Sequence, residues 1–204
     1  MRSISILVSA ISLVTAISHS VTPNSESHQV LSDGLPNGYS LANITWVGKV
    51  EDDIHSFTGP NISNIKDQIR EIYPNFSWDG PGKGNLASRI RGRTPPHLLC
   101  DPSGVELADA YRIQEGVNYL KGVTGTCHLG PGPKVCTRIS CSWNSAIWWC
   151  NDNSHDIRID CRLWSEYSQN ILDLCQTEET DPRVMGQKFM DRQKWNILVG
   201  HAEC

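Results

Sequence analysis

The side chains of this 204-residue chain that could act as acid and base are His128, His155 with the adjoining Asp156, and His201, together with scattered carboxylates. Paired with one another they could serve RNA cleavage or glycoside hydrolysis. They are not arranged as a motif. No Gly-x-Ser-x-Gly elbow, His-Glu-x-x-His helix, phosphate-binding glycine loop or dinucleotide fingerprint occurs. The expectation is therefore a non-enzymatic protein with no catalytic residue and no cofactor. Asn151-Asp152-Asn153 reads as a turn, because the later acidic ligands of a calcium loop are missing at the required spacing.

The other chemistry-bearing residues are Cys100, Cys127, Cys136, Cys141, Cys150, Cys161, Cys175 and Cys204. Zinc would call for C-x-x-C knuckles or paired histidines, and neither spacing is present, so no metal site is expected. An even set of cysteines in an oxidising compartment reads as four disulfides, and eight cysteines allow 105 pairings among which spacing does not choose.

The compartment is indicated independently. Residues 1–20 carry one early positive charge, Arg2, then an apolar run from Ile4 to Ile17 and small residues at Ala16 and Ser18, the layout of a secretory leader. Three triplets, at Asn43, Asn61 and Asn75, match the N-glycosylation pattern that a secreted chain would present. Lys plus Arg total 18 against 22 Asp plus Glu, a net charge of −4 that offers no basic face to nucleic acid. Residues 94–204 alone hold 10 basic and 14 acidic side chains, unfavourable for an anionic membrane, and no later window is apolar enough for stable membrane insertion.

Composition divides the chain. Residues 21–78 carry no cysteine and read as a small α/β segment or pro-region; residues 79–96 form a Gly/Pro/Arg linker; residues 97–204 form a cysteine-rich domain. Arg91 and Arg93 in the linker are candidate processing positions, although no paired basic site occurs. In the first segment Ile44–Val50 suits a strand, and Ile65, Ile69 and Ile72 mark one helical face behind Ser63 as N-cap.

In the second segment, His97 to Cys100 is a short strand. A helix of about 15 residues then follows Asp101 or Ser103 and ends at Gly122 or Gly125. A hairpin over residues 135–150 turns at Asn144-Ser145, and its continuous apolar second arm reads as a central strand covered on both faces. A short edge strand at Ile157–Ile159, a helix from Leu163 through Leu174 and a closing hairpin around Asp191-Arg192-Gln193 complete the order. The fold class is α+β: a disulfide-stapled antiparallel sheet with two helices on one face, plus the small N-terminal strand-helix segment. Trp143, Trp148 and Trp149 form a candidate binding surface, but Trp148 and Trp149 point to opposite sheet faces, which sends at least one into the core.

Three runs, Arg112 to Leu120, Gly130-Pro-Gly-Pro133 and Cys141 to Asp152, resemble small secreted cysteine-rich proteins of filamentous fungi, and Asp67 to Phe76 is similar to the same group's upstream region. The element order is more remotely similar to killer-toxin-like α/β-sandwich proteins. The resemblance implies a secreted fungal effector or virulence-associated protein that binds a host protein or cell-surface component. It also implies that Cys127 and Cys161, which stand outside the group's usual set, pair with each other. The alternatives carried beside it are a killer-type antimicrobial toxin acting on competitor cells, and a secreted ribonuclease or glycosidase.

Overall fold

The computed structural model describes residues 33–78, 97–178 and 180–204. The expected leader at 1–20 and the whole of the expected linker at 79–96, with Arg91 and Arg93 in it, lie outside the described residues.

In chain order the elements are β1 (Ser40–Leu41), β2 (Ile44–Val50), β3 (Asp53–Gly59), α1 (Ile62–Ile72), β4 (Leu98–Leu99), β5 (Ala108–Asp109), α2 (Ala110–Gly122) and β6 (Thr126–Leu129). They continue with β7 (Val135–Ser142), β8 (Ser145–Asn151), β9 (Ile157–Asp160), α3 (Leu163–Cys175), β10 (Arg183–Val184), β11 (Gly186–Met190) and β12 (Trp195–His201). The fold is α+β, with four disulfides holding sheets and helices together. The sheet is not single. A six-stranded sheet runs β1-β7-β8-β12-β11-β4 and a four-stranded one runs β3-β2-β6-β9, with β5 and β10 as a small separate pair. The large sheet is mixed, because β1 joins β7 in parallel.

Strand β8 is central in the large sheet, and all seven of its residues are buried. Its side chains alternate between two cores. Ile147 and Trp149 join Trp195, Ile197 and Val199 of β12 beneath the helices. There Ile113, Val117 and Leu120 of α2 and Trp164, Tyr167 and Ile171 of α3 cover them. Trp148 and Leu198 face the other way, among Leu35, Val105, Cys136, Ala146, Cys150 and Ala202. That second face also carries a polar strip. Asn196 donates to Asp152 at 2.7 Å, while the Gln187 amide donates to Asn196 at 3.0 Å and to the Tyr39 hydroxyl at 3.1 Å.

The cysteine-free segment supplies half of the second sheet. One hairpin and one helix cannot bury a stable core alone. Here β2 pairs with β3 on one side and with β6 of the cysteine-rich part on the other. Trp46, 1% exposed, donates its indole N–H to the Thr124 carbonyl at 2.6 Å. Ile62, Ile65 and Ile69 of α1 join the same core as α2 and α3, so three helices cover it rather than two.

The disulfides pair Cys100 with Cys175, Cys127 with Cys161, Cys136 with Cys150 and Cys141 with Cys204. The Cys127–Cys161 pair implied by the resemblance is present. It ties β6 to the start of α3 in the second sheet. Cys136 and Cys150 sit directly opposite each other on β7 and β8. Cys175 closes the last turn of α3 onto Cys100 beside β4.

Several local expectations are corrected. Helix α1 is capped by Asn61, not Ser63: the Asn61 carboxamide oxygen accepts from the Asn64 amide at 2.8 Å. Helix α2 starts seven residues later than Ser103, because Asp109 takes two backbone N–H groups as N-cap. Residues 105–108 instead lead into the β5–β10 pair. Ile157–Ile159 is an edge strand as expected, but of the four-stranded sheet. Strand β6 follows immediately on Gly125, whose φ of +103° turns the chain out of α2's exit.

Trp46→Ala removes a filled site and the bond that joins the two halves. The expected cost is about 3–5 kcal/mol, read as a lowered denaturation midpoint with unchanged slope. A chain reduced to residues 94–204 leaves β6 without β2 and the core without α1. It is expected to aggregate or to unfold at markedly lower urea than the full chain, as followed by tryptophan fluorescence.

Candidate functional site

The hairpin turn between β7 and β8 is made by Trp143-Asn144, one residue earlier than the sequence suggests, since Ser142 pairs directly with Ser145. Both turn residues have positive φ, 49° and 56°. That is the type I′ geometry of two-residue hairpins, where Asn and Gly are preferred. Asn144 suits it. A bulky aromatic side chain with positive φ is an outlier, costing about 1–2 kcal/mol against an ordinary conformation.

Nothing in the core compensates for this, because Trp143 is 75% exposed. What holds the indole is the Arg112 guanidinium, 5.2 Å from the ring centroid, itself fixed by both oxygens of Glu115 at 3.0 Å. The start of α2 is tied to the turn by the Asp109 amide, which donates to the Ser145 hydroxyl at 3.2 Å. Tyr111, beside Arg112 in the chain, is a second exposed aromatic residue at 62%. Trp148 and Trp149, the other two members of the predicted surface, are fully buried on opposite faces of β8 and lie at no surface. Alternation along a central strand sends both inward once each face is covered.

Beside the turn, a groove of about 320 Å³ runs between α1, α2 and β7. Its polar walls come from Asn61, Glu115, Tyr119, Arg138, Ser140 and Ser142. Gly116 permits the close approach of α2 to β7, since a Cβ there would stand 2.6 Å from the Ser140 hydroxyl oxygen. The Arg138 guanidinium donates to the Glu203 carbonyl at 2.7 Å and anchors the C-terminal end on the groove's rim.

The three histidines do not converge. His201, at the end of β12, faces Glu106 at 3.8 Å, and exposed His155 contacts the carbonyl of Asp156 through its own Nδ1. His128 lies on the outer face of the four-stranded sheet, in a cross-strand row with Thr58, Thr45 and Arg158. Asp156 pairs there with Arg158 at 3.5 Å. Burial, reinforced by Arg158, holds the His128 imidazole below its usual pKa. Glu166 is raised, by burial first and then by Asp160, but Asp160 is bonded to Arg162 at 2.6 Å. Lys188, buried over the Tyr167 ring and bonded to Asn170, is lowered by burial.

Asn151 is a buried turn organiser. Its amide donates to Gly130 and His155 carbonyls, and its oxygen accepts from the Asn153 backbone at 2.8 Å. Among the described residues no group of three His, Cys, Asp or Glu could hold a metal ion, and no helix is long and apolar enough to cross a membrane. Of the sequons, Asn43 and Asn75 are exposed and Asn61 is half-buried at the groove.

Tyr111 and Arg112 were not singled out by sequence reasoning as site residues. Arg112 stands on α2 and Trp143 at a turn some thirty residues on, so only tertiary packing joins them.

The lowered His128 has a defined pH consequence. As pH falls below about 6.5, the unfolded chain takes up the proton first. The native state then loses stability from that point down to the folded-state value. NMR titration is expected to place the His128 midpoint below 6.5, and His128→Asn to flatten the stability slope in that window.

The comparisons with known proteins give no family: no protein-family model, no curated protein and no solved structure matches this chain.

Proposed function

We propose that the chain is a secreted effector of a filamentous fungus that binds a host component without catalysing a reaction. The observation that carries this reading is Trp143, an indole held outward at a strained hairpin turn and braced by Arg112 and Glu115. Backbone strain kept without a packing return is characteristic of functional positions, and tryptophan and arginine are enriched at binding hot spots. Four disulfides suit an oxidising extracellular environment, in keeping with the leader read in residues 1–20. The resemblance to secreted fungal cysteine-rich proteins supplies the biological setting. The scattering of His128, His155 and His201 favours binding over acid-base catalysis, which needs two groups within reach of one bond.

Trp143→Gly separates folding from function. Glycine adopts the left-handed turn freely and adds no glycosylation triplet ahead of Asn144-Ser145, so the variant is expected to stay within about 1 kcal/mol of the parent in stability. Retention of the labelled protein on intact host tissue is expected to be lost. Equal retention of variant and parent would sink the Trp143 surface. No host retention or response, with growth inhibition of yeasts or bacteria instead, would replace the reading by a toxin.

A further inference from the structure

We infer that the groove between α1, α2 and β7 is the seat of the chain's own Asn61-linked glycan. The inference shares with the proposed function only the premise that the chain passes through the secretory pathway. The Asn61-Ile62-Ser63 sequon opens α1, and Asn61 lies in the groove wall, whereas Asn43 and Asn75 stand exposed elsewhere.

The capping role of Asn61 leaves its nitrogen available. The Asn61 Oδ1 accepts from the Asn64 amide, and Nδ2 makes no hydrogen bond among the described residues. Attachment occurs at Nδ2. That nitrogen displaces the diphosphate of a polyisoprenyl-linked oligosaccharide at the first sugar's C1. The N–C1 bond forms, the C1–O bond breaks, one Nδ2 proton goes to the transferase base, and Oδ1 keeps its capping bond.

The groove's chemistry fits the first sugars of such a chain, which are neutral and rich in hydroxyl and amide groups. Glu115 and Arg138 balance in charge, and the hydroxyls of Ser140 and Ser142 have no partner among the described residues. The Tyr119 hydroxyl accepts from the Trp78 indole at 3.1 Å and keeps its own proton to donate. A volume of about 320 Å³ is at the small end of ligand clefts, so it admits the proximal sugars and leaves the branches in water. Covalent tethering gives an effective concentration on the order of millimolar, so weak contacts suffice.

The test uses the full-length protein secreted by a fungal host, with glycopeptide mapping and timed endoglycosidase release before and after denaturation. The expected result is an occupied Asn61 whose glycan is released about tenfold more slowly than those at Asn43 or Asn75, as a groove occupied nine-tenths of the time requires. Denaturation should abolish the difference. Ser142→Arg, which puts a bulky side chain on the groove wall away from the close contact of Gly116 with Ser140 and leaves the attachment point intact, should make the Asn61 glycan as sensitive as the others. Ser63→Ala should remove that glycan while the Asn61 cap and the fold persist. A bare Asn61 beside an occupied Asn43 or Asn75, or equal release rates in the native protein, overturns the inference and leaves the proposed function standing. A protein retained inside the cell with all three asparagines bare overturns both.

Discussion

Strand β8 has no side that can face water. Trp148 and Trp149 are adjacent and point in opposite directions, and Ala146, Ile147 and Cys150 are equally excluded from solvent. A half-covered sheet would leave one large indole exposed along its centre, a loss of about 1.5–3 kcal/mol or more per side chain. Both faces must therefore be roofed. Helices α2 and α3 cover one, and the segment containing Leu35 and Tyr39, with Val105 and the Cys136–Cys150 bridge, covers the other.

That requirement draws the cysteine-free segment into the fold. Residues 33–39 lie on the far face of the large sheet, while β2, β3 and α1 complete the near core through β6. The two compositionally unlike stretches thus share one hydrophobic interior. The same docking creates the groove, because α1 approaches β7 from the side opposite α2's contact with α3 and leaves a polar channel between them. Gly116 sets how closely α2 can descend on Ser140.

The surface proposed for binding rests on the same frame. The rigid sheet and the Cys141–Cys204 bridge hold the base of the β7–β8 hairpin, and the tip projects Trp143 beside the groove. Titratable groups with shifted affinity for protons lie apart: His128 on the outer small sheet, Glu166 at the start of α3, Lys188 over the Tyr167 ring. Each shift has burial as its largest cause, which is what partial enclosure of an ordinary structural side chain produces.

Local pattern alone determined the α+β class, the central and fully covered character of Ala146 to Cys150, the closing hairpin, the apolar face of α1 and the use of all eight cysteines. These depend on periodicity and on composition, which act over a few residues. The second sheet was beyond such reading. Strand β3 is an exposed edge with little apolar alternation, and Thr126-Cys127-His128-Leu129 is four residues long behind a glycine, so each becomes a strand only through its partner. The start of α2 shifted for the same reason, since Val105 and Ala108 satisfy the helical spacing but are claimed by the second core and by β10. The choice among 105 pairings and the meeting of Trp143 with Arg112 were decided by tertiary structure. Each brings together residues far apart in the chain, and their separation in space follows from which faces must be buried, a constraint that exists only once the sheets have formed.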